Sequence, residues 1–524
     1  MRKNLGKNAI KLMSCASFLR NELKKSSMDI QSQIVESFKN QTIFLTGGSG
    51  FIGKVFLAKL LSICPDVNAI YIFVRPKQNK TPSERIQDIF NFSCFEPLKS
   101  KWPNFHEKIK LISGDCEKVG LDISAQEREI LKREVTIFVH AAANVKFDQS
   151  LKLAAYANVR AMKEVLELAK EITRLKAFLY VSTVYSNCPH SHIREDFYEP
   201  GMKAENLLTL VESVDEDVLN GMTPSLLKTW PNTYVFTKCI SEDLLKRESG
   251  DLPVAVVRPC IIVPTVKEPI TAWSDNFYGL IGIAVGMLLG AIKVMPGKPN
   301  NPMHVVPCDY VVNLMMASIW DLMQPKSPEK ENKIAIYNHV PPPENTETLG
   351  RYEALVHKIK WDYPLSNMVW FPLFTVVSCK HWYKIRAFFQ HTLLAYFADF
   401  ILICFGRKTM AVQQMRKISK LLLLLSYFTT NTWTFDYHNV EALWSRMNEK
   451  DHELFKFELM SLNWTQLWKL SIKHGRLHLL KEKLENLPYG RKKIRVLAVV
   501  HYAFCVLLLY LCYKIFQLCF ICNF

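Results

Sequence analysis

Acidic residues are in short supply: 49 Asp and Glu stand against 66 Lys and Arg, a formal balance of +17. An excess of that size suits an anionic partner, whether nucleic acid, acidic lipid or a phosphorylated ligand. Zinc-ligand spacing is also missing. Of 14 cysteines, only Cys519 and Cys522 form a C-x-x-C, in an apolar tail with no second pair or nearby histidine. That argues against a zinc site, and no metal is expected. The other cysteines are scattered singly, as in a reducing compartment. No zinc-finger or RNA-binding signature accompanies the charge, so nucleic acid is not expected as a partner. A secretory signal is absent too, because no long apolar run follows the basic start. Residues 1–27 hold seven basic residues and one acid, Glu22, so residues 1–40 read as a basic, disordered leader. The final residues, Ile521 to Phe524, match neither Ser-Lys-Leu nor Lys-Asp-Glu-Leu. What is present is apolar: 49% hydrophobic against 22% charged residues excludes a wholly disordered chain.

From residue 41 the pattern alternates strand and helix. Continuous apolar runs occur at Thr42–Leu45, Ala69–Val74, Ile109–Ile112, Val135–Val139, Ala177–Val181 and Val254–Val257. Such runs suit parallel strands buried on both faces. With helical patterns between them, residues 41–340 read as α/β, a Rossmann-type doubly wound parallel sheet. Composition shifts at Pro341-Pro342-Pro343, and residues 351–487, rich in Trp, Phe, Leu and Lys, read as an all-α domain. Residues 496–513 contain one clearly polar side chain, His501. At 1.5 Å per residue they reach about 27 Å, enough for a thin bilayer. Arg491, Lys492, Lys493 and Arg495 precede this stretch and only Lys514 follows closely, which keeps the N-terminal part cytosolic. Two further apolar stretches, Gly279–Met295 and Ala387–Phe405, read as substrate-pocket or membrane-surface helices, with additional membrane spans as the alternative; the second is interrupted by Asp399.

The chemistry-bearing residues lie at strand ends. Thr46-Gly47-Gly48-Ser49-Gly50-Phe51-Ile52-Gly53 joins the first strand to the first long helix with G-x-x-G-x-x-G spacing. Gly47 permits a tight turn, Gly50 a close backbone approach to a pyrophosphate, and Gly53 close packing of helix on strand. At the end of the second strand an NAD enzyme usually presents a carboxylate to the ribose diol. Here stands Arg75, followed by Lys77 and Lys80, which favours the 2′-phosphate of NADPH. Asp115 ends the third strand within reach of an adenine. Ala141 and Ala142 follow the fourth and leave room for a nucleotide, while His140 reads as a core histidine. Tyr234 and Lys238 form a Tyr-x-x-x-Lys on one helical face. An ammonium about 4 Å from the phenol would draw its pKa from about 10 towards about 7. Ser182 and Thr183, at the end of the fifth strand, could each donate to the same substrate oxygen.

Together these features resemble the extended short-chain dehydrogenase/reductase superfamily. TGGSGFIGKVFLAKLL, IYIFVRPK, HAAANVKFD, YVSTVYSN, PNTYVFTK, AVVRPCIIVPTVKEPITAW and DNFYG resemble, more closely, the fatty acyl-CoA reductase family. Trp433 to Asn439 resembles that family's C-terminal male-sterility domain. Gly48-Ser49 and Asn144 stand where the family often has Ala-Thr and Thr. The resemblance implies reduction of a long-chain acyl-CoA to a primary alcohol with NADPH, Tyr234, Lys238 and Thr183 being catalytic. Residues 46–53, Arg75, Asp115, Ala141, Ala142, Tyr234, Lys238 and Pro259 would then bind the nucleotide. It also implies membrane lipid as a partner and an endoplasmic-reticulum or peroxisomal membrane as the location. A hydroxysteroid-type reductase and a non-catalytic nucleotide- and lipid-binding scaffold are the alternatives.

Overall fold

The computed structural model describes residues 31–76, 80–275, 279–325 and 333–521. Seven strands form one wholly parallel sheet: β1 Thr42–Thr46, β2 Ala69–Val74, β3 Ile109–Ser113, β4 Ile137–His140, β5 Ala177–Val181, β6 Val254–Pro259 and β7 Ala335–His339. Their spatial order is β7-β6-β5-β4-β1-β2-β3. Every residue of β1, β2, β4, β5 and β6 is buried, so apolar side chains leave water on both faces and the runs are continuous rather than alternating. The chain order reverses between β1 and β4, and a crevice opens beyond the carboxyl ends of the strands at such a point.

The helices used below are α1 Gln33–Ser37, α2 Phe51–Ile63, α3 Thr233–Glu248, α4 Cys308–Leu322, α5 Lys380–Ala387, α6 Leu394–Cys404, α7 Ala411–Thr430 and α8 Leu487–Ile521. The leader assigned to residues 1–40 lies outside the described residues as far as residue 30. Its last part is structured: Ile34 and Phe38 are fully buried and α1 is capped by Ser32. Beyond residue 340 the chain is helical with three short strands in addition. Glu347–Thr348 pairs with Pro302–Met303, Thr375–Val377 with Val294–Pro296, and Thr434–Phe435 with His192–Ile193. These pairings cross the boundary expected at 341–350, and one apolar core runs from Ile34 to Ile494.

Two helical stretches, Lys380–Cys404 and Leu484–Gln517, are long and apolar enough to cross a membrane. The second belongs to α8, whose 35 residues extend about 52 Å. Its 18-residue apolar window has none of its side chains buried. His501, the polar residue of this stretch, accepts a hydrogen bond at Nδ1 from Trp370 Nε1 at 3.0 Å.

Candidate active site

The crevice is assembled from strand ends. After β1 the chain turns through Gly47 at φ 79°. A Cβ there would stand 2.6 Å from the Ala141 carbonyl carbon, so only glycine fits between β1 and the start of the β4 loop. A Cβ on Gly53 would lie 2.2 Å from Gly47 O, so helix and turn are in direct backbone contact. Gly50 is the N-cap of α2 and supplies no side-chain hydrogen bond. The first-turn N–H groups therefore face the crevice without a capping side chain, a cradle that fits a pyrophosphate. Gly48 packs under Ile72, Ser49 O accepts from Lys54 Nζ, and Phe51 rests on Trp273; Ile52 lies in the first turn of α2.

Thr46 Oγ1 lies 2.8 Å from His140 Nδ1, and Ala142 N donates to Thr46 Oγ1 at 3.4 Å. Burial drives the His140 imidazole down to about 3, so it stays neutral as a strut between β1 and β4. Arg75 is half exposed and donates to Glu117 at 2.7 Å, with Asp115 at 3.8 Å. Lys80 pairs with Asp88, and Lys77 lies outside the described residues.

On the far side, α3 carries Tyr234 and Lys238. Asn232 caps α3 through Val235 N. The lysine does not take the phenol of Tyr234 as its partner. Lys238 Nζ donates to Val181 O at 2.9 Å and to Tyr180 Oη at 3.2 Å. Burial lowers its pKa to about 7, opposed by the Glu242 carboxylate, and burial raises the Tyr234 phenol, with Glu242 adding to the rise. The acidified phenol expected from the spacing is therefore corrected: burial and the Glu242 carboxylate both push it upward, while the ammonium is turned to Val181 and Tyr180. No hydrogen bond to the Tyr234 hydroxyl forms within the described residues, and its ring stacks against Phe147 at 5.8 Å. Thr183 Oγ1 donates to Pro259 O at 3.3 Å, tying the end of β5 to the end of β6. Ser182 Oγ points the other way and donates to Glu242.

The crevice thus presents a helix-start turn that fits a pyrophosphate, a phenol with no hydrogen bond among the described residues and a threonine at the end of β5. Known proteins agree with that geometry. A nucleotide-binding family model described as male sterility protein matches residues 45–315, and a second model of the same description matches residues 390–482. Fatty acyl-CoA reductase wat of Drosophila melanogaster is 40% identical over 477 residues, covering 91% of each chain. Fatty acyl-CoA reductase 1 is 32% identical in Rattus norvegicus and 31% in Homo sapiens, covering 92% of this chain and 93% of theirs. The chain belongs to the fatty acyl-CoA reductase family. Among solved structures, the terminal R domain of the myxalamid pathway superposes with TM-score 0.56 at 20% identity, covering 84% of this chain and 91% of that one. The R domain of a Mycobacterium tuberculosis non-ribosomal peptide synthetase gives 0.54 at 15% identity, covering 87% and 97%. These two likenesses concern the fold.

Three groups that no motif signalled complete this reductase-family site. Tyr180, inside β5, lies under Lys238 and stacks on His140 with ring centroids 5.6 Å apart. Glu242 and Arg258 form a wholly buried pair, Nη2 to Oε2 at 2.6 Å and Nε to Oε1 at 3.0 Å. Ser186 donates to the same carboxylate at 3.1 Å. Arg258 also donates to Asp196 O and Arg194 O, so helix, strand end and loop are locked behind Tyr234. Lys54 pairs with Asp275 at 2.7 Å, both nearly buried, and joins α2 to the loop after β6. Glu242 could have been suspected from its place one turn beyond Lys238. The other partners come together only in three dimensions.

Proposed function

We propose that the chain reduces a long-chain fatty acyl-CoA to the primary alcohol with release of CoA, using NADPH. The carrying observation is a cradle at the start of α2 and, on α3, a protonated phenol that makes no hydrogen bond among the described residues, in a chain 40% identical to a fatty acyl-CoA reductase across nine-tenths of its length. Residues 46–53 would hold the pyrophosphate, Asp115 the adenosine side, and Arg75 the 2′-phosphate. Ala141, Ala142 and Pro259 would border the nicotinamide half, and Lys238 would bind the ribose hydroxyls. Bound there, the nucleotide supplies hydride to the carbonyl carbon.

Tyr234 Oη donates its proton to the substrate oxygen, and Thr183 Oγ1 gives that oxygen a second hydrogen bond. Both hydroxyls are engaged in the structure, Ser182 by the buried Glu242 carboxylate and Thr183 by the Pro259 carbonyl; the neutral carbonyl is the weaker acceptor, so Thr183 is the one that turns its hydrogen to the substrate. By raising the phenol, burial keeps it protonated near neutral pH, the form that a proton donor needs. After the first reduction the carbon–sulfur bond breaks, the sulfur keeps the electron pair and leaves as thiolate, and the aldehyde is reduced in the same way. One thioester, two NADPH and two protons give one alcohol, one CoA thiol and two NADP⁺.

The same reading anchors the chain through α8, with the crevice on the cytosolic side of an endoplasmic-reticulum membrane and the peroxisomal membrane as the other candidate. Arg491, Lys492, Lys493 and Arg495 before the apolar stretch support that orientation. The full chain in vesicles with palmitoyl-CoA and NADPH is expected to yield hexadecanol, consuming two NADPH per CoA thiol. A ratio of one with aldehyde as end product, or turnover of a steroid alone, would refute it.

A further inference from the structure

The segment from 378 to 430 runs out along the body, held midway where His391 Nε2 accepts from Lys293 N at 2.9 Å, and comes back to the strand it left. Its first anchor is Thr375–Val377, paired with Val294–Pro296. Its last is Thr429, whose Oγ1 donates to Pro296 O at 2.7 Å and whose carbonyl accepts from Lys298 N. Between them α5 and α6 run as one rod through a π-helical turn, Phe388–Leu393, and α7 returns beside α6. Asp399 closes the turn by accepting from Met410 N, Ala411 N and Val412 N. That accounts for the one acid in the apolar stretch: it caps the returning helix.

This hairpin carries a row of exposed large apolar side chains, the kind of patch that marks an interaction surface. Phe389, Leu393, Phe397 and Phe400 recur at intervals of three or four residues, and with Ile403 and Phe405 at the tip all are exposed, Phe400 at 62% and Phe405 at 77%. Charge surrounds this face with one sign. Between 380 and 420 there are eight Lys and Arg, with Asp399 as the sole acid, and that acid is spent on the cap. Arg407 and Lys408 sit in the turn, and Arg416, Lys417 and Lys420 on α7.

By length and composition the Lys380–Cys404 rod could cross a membrane. A chain that returns to its starting strand must cross twice, however, and the returning leg carries three cations mid-helix, which a hydrocarbon core strongly disfavours. Lys420 moreover pairs with Asp148 of the body at 2.8 Å. The arrangement suits a helix lying in the interface, apolar face inward and cations at the headgroups.

We propose that this hairpin is an in-plane docking element for an anionic bilayer surface, separate from α8, that sets the crevice against the lipid. Its returning helix ends at the active site: Phe428 contacts Phe147 at 5.7 Å, and Phe147 stacks on Tyr234. An apolar chain leaving the bilayer would meet aromatic surface from α7 to the phenol. This last step rests on the acyl-CoA reading above; the docking does not.

The test uses the full chain with a fluorescent amino acid at Phe400, reconstituted in phosphatidylcholine vesicles containing 30% phosphatidylserine by mixing. Nitroxide lipids labelled at acyl carbon 5 should quench it more strongly than those labelled at carbon 12, and less so when phosphatidylserine is omitted. Stronger quenching from carbon 12 would mean a spanning hairpin and overturn the proposal. So would absence of quenching, whether the face meets water or a second copy. In a parallel arm, Phe397→Asp/Phe400→Asp should raise KM for palmitoyl-CoA several-fold more than KM for octanoyl-CoA. Equal effects on both would overturn the link to the active site. Failure of every thioester to react would strike the acyl-CoA reading and leave the quenching result intact.

Discussion

Tyr234 holds its proton at neutral pH because burial pushes the phenol upward. Replacing it by Phe removes the donated proton and little else, since the hydroxyl makes no hydrogen bond among the described residues. Tyr234→Phe is therefore expected to lower kcat by about 10²–10⁴, with NADPH binding by fluorescence titration unchanged. Lys238 titrates in the opposite sense. Its folded value, about 7, lies below the ordinary lysine value of 10.5, so the unfolded chain binds the extra proton between those limits. Stability of the nucleotide-free protein should rise as pH climbs through that window. Lys238→Met should flatten the rise, read as apparent Tm from pH 7 to 9.5. At Arg75, loss of a charge-assisted contact worth about 1.5–3 kcal/mol should raise KM for NADPH about 10- to 100-fold in Arg75→Ala and leave KM for NADH nearly unmoved. The positions of Tyr234 and Lys238 on one helix were legible from their spacing alone. The partner of the amine was not, because Tyr180 lies 58 residues earlier and looks from sequence like one more apolar strand residue.

At the level of elements, the parallel strands could be read because burial on both faces leaves an unbroken apolar run, a local signal. The glycine turn was equally local: a positive φ at Gly47 and the contact at Gly53 demand the missing Cβ wherever the rest of the chain goes. The lock behind α3 was hidden. Glu242 and Arg258 are ordinary charged residues in sequence, and only the packing of α3 against β6 buries them together. Removing one partner leaves the other charged and dry, which costs about 3–5 kcal/mol. Glu242→Ala should thus unfold the protein at clearly lower urea concentration. Glu242→Gln, which keeps the shape and an acceptor oxygen for Ser182 or Arg258, should lose less. The apolar stretch 387–405 shows the same limit: hydropathy marked it, but whether that face meets core, lipid or water depends on where its two ends are fastened.

Across the whole molecule, the boundary suggested by Pro341-Pro342-Pro343 marks a change in composition without dividing the core. The chain's beginning is held by its far end. Asp451 is fully buried and accepts from Ser32 Oγ at 2.5 Å and from Ile34 N at 3.3 Å. Asn313 Nδ2 on α4 donates to Lys456 O at 2.7 Å, and His339 Nε2 at the end of β7 meets Phe457 O at 3.0 Å. Contacts separated by more than 400 residues have no signature in any sequence window, so this tie across the expected boundary could not be read from the chain. A nucleotide-binding part and a helical part that folded independently would melt separately, and proteolysis would release one of them intact. The shared core instead calls for one cooperative transition in the full chain. Asp451→Ala would leave Ser32 and the first N–H groups of α1 without their acceptor, at about 1–3 kcal/mol for such unsatisfied donors. The expected result is a fall of the whole transition by a few degrees, with NADPH binding and the C-terminal region lost together along the same thermal curve. An early, separate loss of residues 351–487 to protease, with nucleotide binding retained, would show that the two parts stand alone.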